Sequence, residues 1–458
     1  MKIDNYLVKK YNKQGPRYTS YPPANLFQKN YDNKKFIKSI LQSNKEKPES
    51  ISIYIHIPFC PQICHFCGCT TETGFSLKFI ERYINALIKE IEMMINYIDT
   101  NRKVTQIHWG GGTPNAIPYK FIKLITDKIK TCFEIDENYE MAIECSPAYF
   151  TLKHIDKLKE YGFNRISIGL QDFDNKILEA INRKPSKIPI HKIINKIKNN
   201  GFSGTNIDLV YGLPLQTIEG FNSAVKKAIE LDVDRIAAFS YAHVPSVIPR
   251  QKILEKHRFP SAEEKAVMYN NAYAMFRNHG YQPIGMDHFA KPNDDLSIAQ
   301  KNKQLHRNFQ GYCTLKTTGQ VYGFGASSIS QLHSSYSQNE KNAAKYIKCI
   351  ENNKFATIRG YSLNKKEKII RKIINEIMCN YYVDLSEVAD TFKIKLQEII
   401  ELTSFKKERF KDFIDDNILE ISDNKVKINT KGRIVIRNIA MRFDPLMNKN
   451  VNSYSKTI

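Results

Sequence analysis

Six short runs rich in β-branched and aromatic residues recur along the first half of the chain: "ISIYIHI" at 51–57, "VTQIHWG" at 104–110, "YEMAIEC" at 139–145, "NRISIGL" at 164–170, "TNIDLVYG" at 205–212 and "DRIAAFSYA" at 234–242. Amphipathic helical patterns separate them. The clearest spans 77–95, where Leu77, Ile80, Ile84, Leu87, Ile88, Ile91 and Ile95 recur at three- and four-residue steps and form one apolar stripe. Strands joined by helical crossovers must run parallel, and such crossovers wind right-handed. The pattern therefore predicts an α/β chain whose parallel sheet is either open or curled into a full or partial barrel. In both forms the chemistry belongs at the C-terminal ends of the strands.

Those ends carry the unusual residues. A cysteine cluster follows the first run and "GGGTP" the second; Glu144 closes the third, "GLQDF" follows the fourth, "DLVYGLP" ends the fifth and "SYAHVP" the sixth. Residues 1–48, with the turn-forming "GPRYTSYPP", are expected to wrap over the body as an arm. After about residue 356 the pattern changes to helices at 364–381 and 393–403, then two short strands around a turn at Asp423 and Asn424, then a helix. Helices capped by a hairpin resemble a winged-helix module. Apolar Ile434, Val435 and Ile439 point to packing against the barrel rather than to DNA binding. The expected domains are thus the arm (1–48), a catalytic body (49–355) and a small helical domain (356–458).

Composition narrows the function classes. The formal net charge of +22 comes from lysines scattered among Asn and Ile, as in "KKFIKSILQSNKEK", without the clustering that a nucleic-acid groove needs. No nucleic acid is expected as a partner, although the excess suits an anionic substrate. No stretch approaches the ~18 consecutive apolar residues of a membrane span. The N-terminal residues lack the apolar centre and small-residue cleavage site of a secretion signal, so a cytoplasmic location is expected.

Nine cysteines, an odd number, argue against a disulfide framework in such a chain. Cys132, Cys145, Cys313, Cys349 and Cys379 lie in ordinary segments and are expected to be structural thiols. Cys60, Cys64, Cys67 and Cys69 are different, falling within ten residues in the spacing C-x3-C-x2-C-x-C. Structural zinc usually divides its ligands into two separated pairs, and no second pair follows. Thiolates also suit iron–sulfur clusters, and three ligands on one short loop would leave one iron of a cubane cluster open. Zinc remains the alternative on spacing alone.

The loop C-x3-C-x2-C after the first strand of a βα array resembles the signature of the radical S-adenosylmethionine enzymes. Within them the chain is similar to the oxygen-independent coproporphyrinogen III oxidase (dehydrogenase) family of haem synthesis. The stretches that carry this are "GPRYTSYP", "YIHIPFC", "CHFCGC", "HWGGGTP", "GFNRISIGLQDF", "NIDLVYGLP", "YAHVP", "GMDHFA", "LHRNFQGY" and "KGRIVIRNIAMRFD", in the family's order through nearly the whole chain.

The resemblance implies a partial (β/α)6 TIM-like barrel and one 4Fe-4S cluster held by Cys60, Cys64 and Cys67, with Cys69 a neighbouring thiol that is not a ligand. It implies S-adenosylmethionine, as two molecules, near Tyr54, Phe66, Gly111, Gly112, Thr113, Glu144, Gln171, Arg183, Asp208, Ala242 and Ile329. Gly110 belongs to the same glycine turn. Arg17, His288, His306 and Arg307 are candidates for the substrate's carboxylates, and Tyr18 for closing the site. No further catalytic side chain is assigned. One departure stands out: the family usually has an acidic residue two positions after Glu144, where this chain has Ser146.

The implied reaction is oxidative decarboxylation of two propionates of coproporphyrinogen III to vinyl groups, giving protoporphyrinogen IX. A carbon radical precursor is needed because an unactivated C–H bond resists acid–base chemistry. The expected electron donor is a reduced flavodoxin- or ferredoxin-like protein, and the chain itself is expected to be a monomer. Two other classes share these features: a haem-binding carrier or chaperone, and a radical S-adenosylmethionine tetrapyrrole methyltransferase or haem-degrading relative.

Overall fold

A computed structural model describes residues 5–314, 319–447 and 454–457. At its centre six strands lie side by side in chain order: β1 (Ile51–Ile57), β2 (Val104–Gly111), β3 (Ile135–Cys145), β4 (Arg165–Gln171), β5 (Gly204–Tyr211) and β6 (Arg235–Ser240). Each runs parallel to the next. Helices, among them Leu77–Met94, Tyr119–Cys132, Leu152–Tyr161 and Ile218–Glu230, return the chain between them. Side-chain alternation decides what each face does. Ile53, Ile55, Ile107, Trp109, Ile143, Ile166, Ile168, Ile207 and Ile236 point outward and join Ile84, Leu87, Ile91, Ile122 and Ile125 of the helices in one apolar core. The other face carries Gln106, His108, Glu140, Glu144, Arg165, Ser167, Asn206, Asp208 and Arg235 into the lumen of a partial (β/α)6 TIM-like barrel.

The sheet is wider than six strands. On the β6 side, β7 (Gln282–Ile284) and β8 (His288–Ala290) add antiparallel; β9 (Leu305–Asn308) and β10 (Gly311–Thr314) form a separate hairpin. On the other side β11 (Gln320–Phe324) runs parallel to β1, and β12 (Ile329–Gln331), β13 (Ser335–Asn339) and β14 (Thr357–Ser362) follow antiparallel. These added strands are short, and "SYSQN" has no apolar alternation, so periodicity does not mark them. Because β14 pairs with β13, the large sheet continues past residue 356, where the sequence pattern changes.

The C-terminal segment holds helices Lys365–Asn380, Leu385–Phe392 and Leu396–Thr403 and a small sheet of β15 (Tyr382–Asp384), β16 (Leu419–Ser422) and β17 (Lys425–Ile428), the last two joined through Asp423 at φ 51°. Val435 and Ile439 do not pack on the barrel as the sequence suggests. They are buried in a second core with Leu7, Tyr11, Tyr18 and Tyr21 of the arm, and only Ile434 borders both cores. The reason is aromatic: Tyr11 of helix Asn5–Tyr11 stacks on Phe413 at 5.1 Å and its hydroxyl donates to Asp416 at 2.6 Å.

One buried carboxylate ties helix to sheet. Glu90, fully buried on helix Leu77–Met94, accepts from the Gly325 amide at 2.8 Å, Asn339 Nδ2 at 2.6 Å and the Tyr346 hydroxyl at 2.7 Å. Burial pushes its carboxyl up to about 7 despite those donors. A carboxyl whose folded pKa lies above its unfolded value contributes stability that is full below about 4.5 and lost as pH rises through about 7. Glu90→Ala strands three donors and is expected to lower stability by roughly 3 kcal/mol in chemical denaturation. Glu90→Gln should instead flatten the decline between pH 5 and 8 (about one unit either side of the titration).

Candidate active site

The site grows from a turn. β2 ends in "GGGT", and there the amides of Gly112 and Thr113 donate to the carbonyls of Ile57 at 2.7 Å and Phe59 at 2.9 Å, locking the turn to the start of the cysteine loop. Gly112 has no room for a side chain, since a Cβ would lie 2.7 Å from the Phe59 carbonyl oxygen. Gly111 sits at φ 108°, and a Cβ there would lie 2.6 Å from the His56 ring. A Cβ on Gly110 would meet Glu144 Oε1 at 2.9 Å. These glycines allow close approach, but the amides of Gly112 and Thr113 are spent within the protein.

The cysteine loop is clamped at several points. The Cys60 amide donates to Glu72 O at 3.0 Å and the His65 amide to Ile181 O at 2.9 Å. Asn182 Nδ2 donates to Ile63 O at 2.8 Å, and Gln251 Nε2 to Phe66 O at 3.2 Å. The thiols have defined neighbours too: Cys60 Sγ lies 3.2 Å from the Thr113 hydroxyl, Arg183 Nη1 3.5 Å from Cys64 Sγ, and the Cys69 amide 3.4 Å from Cys67 Sγ. Burial pushes the Cys60 and Cys64 thiols up, whereas hydrogen bonding from the Cys69 side chain holds Cys67 down. All nine cysteines are free, and among the described residues no three His, Cys, Asp or Glu side chains converge as a single-ion site.

A cavity of ≈ 580 Å³ opens at the C-terminal ends of the strands. It brings together Cys60, Cys64, Cys67, Cys69 and Phe66 from the loop, Gly111, Gly112 and Thr113 from the turn, Glu144, Gln171 and Asp208 from later strands, and Arg183 from the segment after helix Asn175–Ala180. Arg17 of the arm, His288 and Arg307 also line it. Other expected residues lie elsewhere. Tyr54 is stacked on His108, ring centroids 6.1 Å apart, with its hydroxyl 3.1 Å from His56 Nδ1. Ala242 lines an adjoining cavity, and Ile329 packs with Phe27, Tyr336 and Leu363. His306 is outside the lining, and burial pushes its imidazole down to about 3. Tyr18 turns away from the cavity, its buried hydroxyl donating to Asp444 at 2.9 Å.

Electrostatics differ from floor to rim. Against the cost of burial, Arg165 and Arg235 hold Glu140 down to about 2, with Arg165 Nε 2.9 Å from Glu140 and Arg235 Nε 2.8 Å from Asp294. Higher up, burial pushes Asp208 up to about 6, although Asn206 Nδ2 donates to it at 2.7 Å. Glu144 is positioned by His108 Nε2 at 3.0 Å. Ser146 lines the cavity beside it, its backbone held at both ends by the Asn115 side chain, amide to Oδ1 2.9 Å and carbonyl to Nδ2 3.0 Å. His108 and Asn206 are functional neighbours that motif reasoning passes over. Their signal is a polar residue at every second position of an apolar strand, as in Gln106 and His108 around Ile107.

A loop of three free thiols at the carboxyl mouth of a parallel βα barrel is the arrangement of the radical S-adenosylmethionine class, and the model of the Radical SAM superfamily matches residues 54–228. The oxygen-independent coproporphyrinogen III oxidase of Synechocystis is 37% identical over 97% of this chain and 95% of its own length; that of Escherichia coli is 34% identical over 99% and 98%. A solved structure of coproporphyrinogen III oxidase from Escherichia coli, a radical SAM enzyme, superposes with a TM-score of 0.89 at 33% identity, covering 97% of this chain and 99% of that one. The chain belongs to the oxygen-independent coproporphyrinogen III oxidase family.

The turn makes a direct test possible. Gly111→Ala is expected to destabilise the protein by about 2 kcal/mol or more, from the left-handed backbone and the contact with His56 together. Gly74, at φ 80° with nothing within 4 Å of a Cβ, supplies the control. Gly74→Ala should cost only about 1 kcal/mol, and thermal melts of the two variants read the difference.

Proposed function

We propose that the protein carries out the anaerobic oxidative decarboxylation of coproporphyrinogen III to protoporphyrinogen IX in haem synthesis. The observation that carries this is the cavity in which three cysteines of one loop share the lining with carboxylate, guanidinium and hydroxyl groups from the barrel strands and the segments around them. Each reacting propionate loses carbon dioxide, one hydrogen atom and one electron and becomes a vinyl group. The chemistry that a 4Fe-4S cluster and S-adenosylmethionine supply, when bound, is hydrogen abstraction from an unactivated C–H bond.

The residues present fit these groups. The thiols are free, Asn206 Oδ1 is buried in the cavity wall without a partner, and Asp208 lies beside it. Cys60, Cys64 and Cys67 would hold the cluster, leaving Cys69 to direct its amide at Cys67. Glu144, oriented by His108, would take an ammonium group, and Asp208 with Asn206 would take ribose hydroxyls. Arg183 and Gln171 would meet a carboxylate at the rim. Ser146 offers a hydroxyl where the family has an acid, which leaves Glu144 as the carboxylate of this corner. Tyr54 acts from behind His108, and Ala242 and Ile329 from the outer wall; two S-adenosylmethionine molecules are part of this reading.

The wider reading is a cytoplasmic monomer that receives electrons from a flavodoxin- or ferredoxin-like donor. Among the described residues no helix is long and apolar enough to cross a membrane. In domain terms the reading keeps an arm (1–48), a catalytic body (49–355) and a helical domain (356–458), with β14 (Thr357–Ser362) of the last completing the body's sheet and Phe36 and Ile40 of the arm packed in the barrel core.

The test is anaerobic: reconstituted protein with reductant, S-adenosylmethionine and coproporphyrinogen III, analysed by mass spectrometry. Protoporphyrinogen IX with matching 5′-deoxyadenosine is expected. Cofactor cleavage with intact propionates would overturn the substrate assignment. Cys60→Ala, Cys64→Ala or Cys67→Ala should each abolish turnover and iron retention, and Glu144→Gln should weaken S-adenosylmethionine binding by about tenfold or more.

A further inference from the structure

Beside the active cavity lies a second one of ≈ 560 Å³, entered between the end of β6, the segment after it and the start of helix Ala262–Asn278. Arg17 lines both cavities, and its Nη2 donates to the Ser240 carbonyl at 3.2 Å on the wall between them. Arg17, Lys265, Arg437 and Lys456 all face the second cavity, and no Asp or Glu lines it among the described residues. Of these, Arg437 is buried and Lys265 half-buried, while Arg17 and Lys456 are exposed. Buried positive charge normally has a carboxylate partner. Here the partners are carbonyls. Lys265 Nζ donates to Tyr241 O at 3.1 Å, while buried Arg437 donates to Pro16 O at 2.9 Å, Lys456 O at 3.0 Å and Gly15 O. Burial, with Arg17 and Lys456 nearby, pushes Lys265 down to about 8, as expected of an ammonium that lacks a counter-charge.

Apolar and aromatic side chains share this lining with the cations. Tyr241 and Phe259 stack at 5.8 Å with ring planes 13° apart, and Val247 stands 71% exposed at the rim. Cations with no acid in the lining, beside an aromatic pair, suit an apolar body of pyrrole rings that carries carboxylates. We propose that this second cavity receives a propionate-bearing edge of the tetrapyrrole, with Lys265 taking a carboxylate and the Tyr241–Phe259 face taking the ring. The inference rests on the substrate reading above and extends it: one edge reacts in the first cavity while a neighbouring edge is held in the second, and Arg17 stands between them.

The experiment titrates the full-length protein with coproporphyrin III, the stable oxidised form, and with mesoporphyrin IX, which has two propionates instead of four, following fluorescence. The unaltered protein should prefer the tetracarboxylate. Lys265→Met should weaken coproporphyrin III binding by about tenfold or more while changing mesoporphyrin IX little, and Lys265→Arg should restore the preference. Equal coproporphyrin III affinity in Lys265→Met and the unaltered protein would overturn the inference alone. An unaltered protein that binds neither porphyrin would overturn the substrate reading and the inference with it. A second measurement needs no variant: acylation of Lys265, followed by mass spectrometry, should be blocked by coproporphyrin III. Equal protection by propionate ion at matched carboxylate concentration would mean a site for small free anions, and would overturn the tetrapyrrole assignment.

Discussion

The register between β1 and β2 is the constraint on which the site depends. His56 lies opposite Gly110 and Ile57 opposite Gly111, and the ladder continues beyond the sheet as the Gly112 and Thr113 amides reach the Ile57 and Phe59 carbonyls. Those two hydrogen bonds set where the cysteine loop begins. A slip of one residue would turn His56 and His108 into the apolar core and Ile55 and Ile107 into the lumen. The glycines are required because backbone from two strands and the His56 ring occupy the space that side chains would fill.

The lumen holds charge at two levels, with different consequences. At the floor, Glu140, Arg165, Arg235 and Asp294 neutralise one another, so the charges are buried in matched pairs. Nearer the mouth, the matching is incomplete. Among the described residues, Asp208 has an amide for company, Asn206 Oδ1 has no hydrogen-bond partner, and Glu144 has only His108 among side chains. Paired charges at the floor give rigidity, although Arg165 Nη1 has no hydrogen-bond partner among the described residues, and the rim leaves hydrogen-bonding capacity for what binds there.

The arm joins distant parts of the chain. Tyr11, Tyr18 and Tyr21 are buried with the C-terminal helices, while Arg17, between them, is directed at Ser240 and the two cavities. The anchoring is aromatic and distributed, and it holds a cation at the mouth, within electrostatic reach of Asp287. The C-terminal domain is therefore coupled to the site through the arm, although its hairpin and helices lie outside the cavity lining.

Much of the architecture was legible in the chain because it depends on local spacing. The six parallel strands follow from β-rich runs alternating with helical stripes, and the thiol loop from the distances between Cys60, Cys64 and Cys67. The strand pattern and the family resemblance pointed to Glu144 and Asp208, and the resemblance alone to Arg183; the cavity contains all three. His108 and Asn206 open the motifs "HWGGGTP" and "NIDLVYGLP" but received no role, because their polar alternation has meaning only once the inner face is known. The pairing of β11 with β1, the turning of Tyr18 to Asp444, and the burial of Val435 and Ile439 against the arm rest on contacts between residues hundreds of positions apart. By itself the sequence determined the order of elements and the chemical character of the loop, because both arise from neighbours along the chain. Which polar groups find partners, and which cations are left without one at the second cavity, was decided only by the tertiary structure, since pairing and burial depend on what the fold brings together.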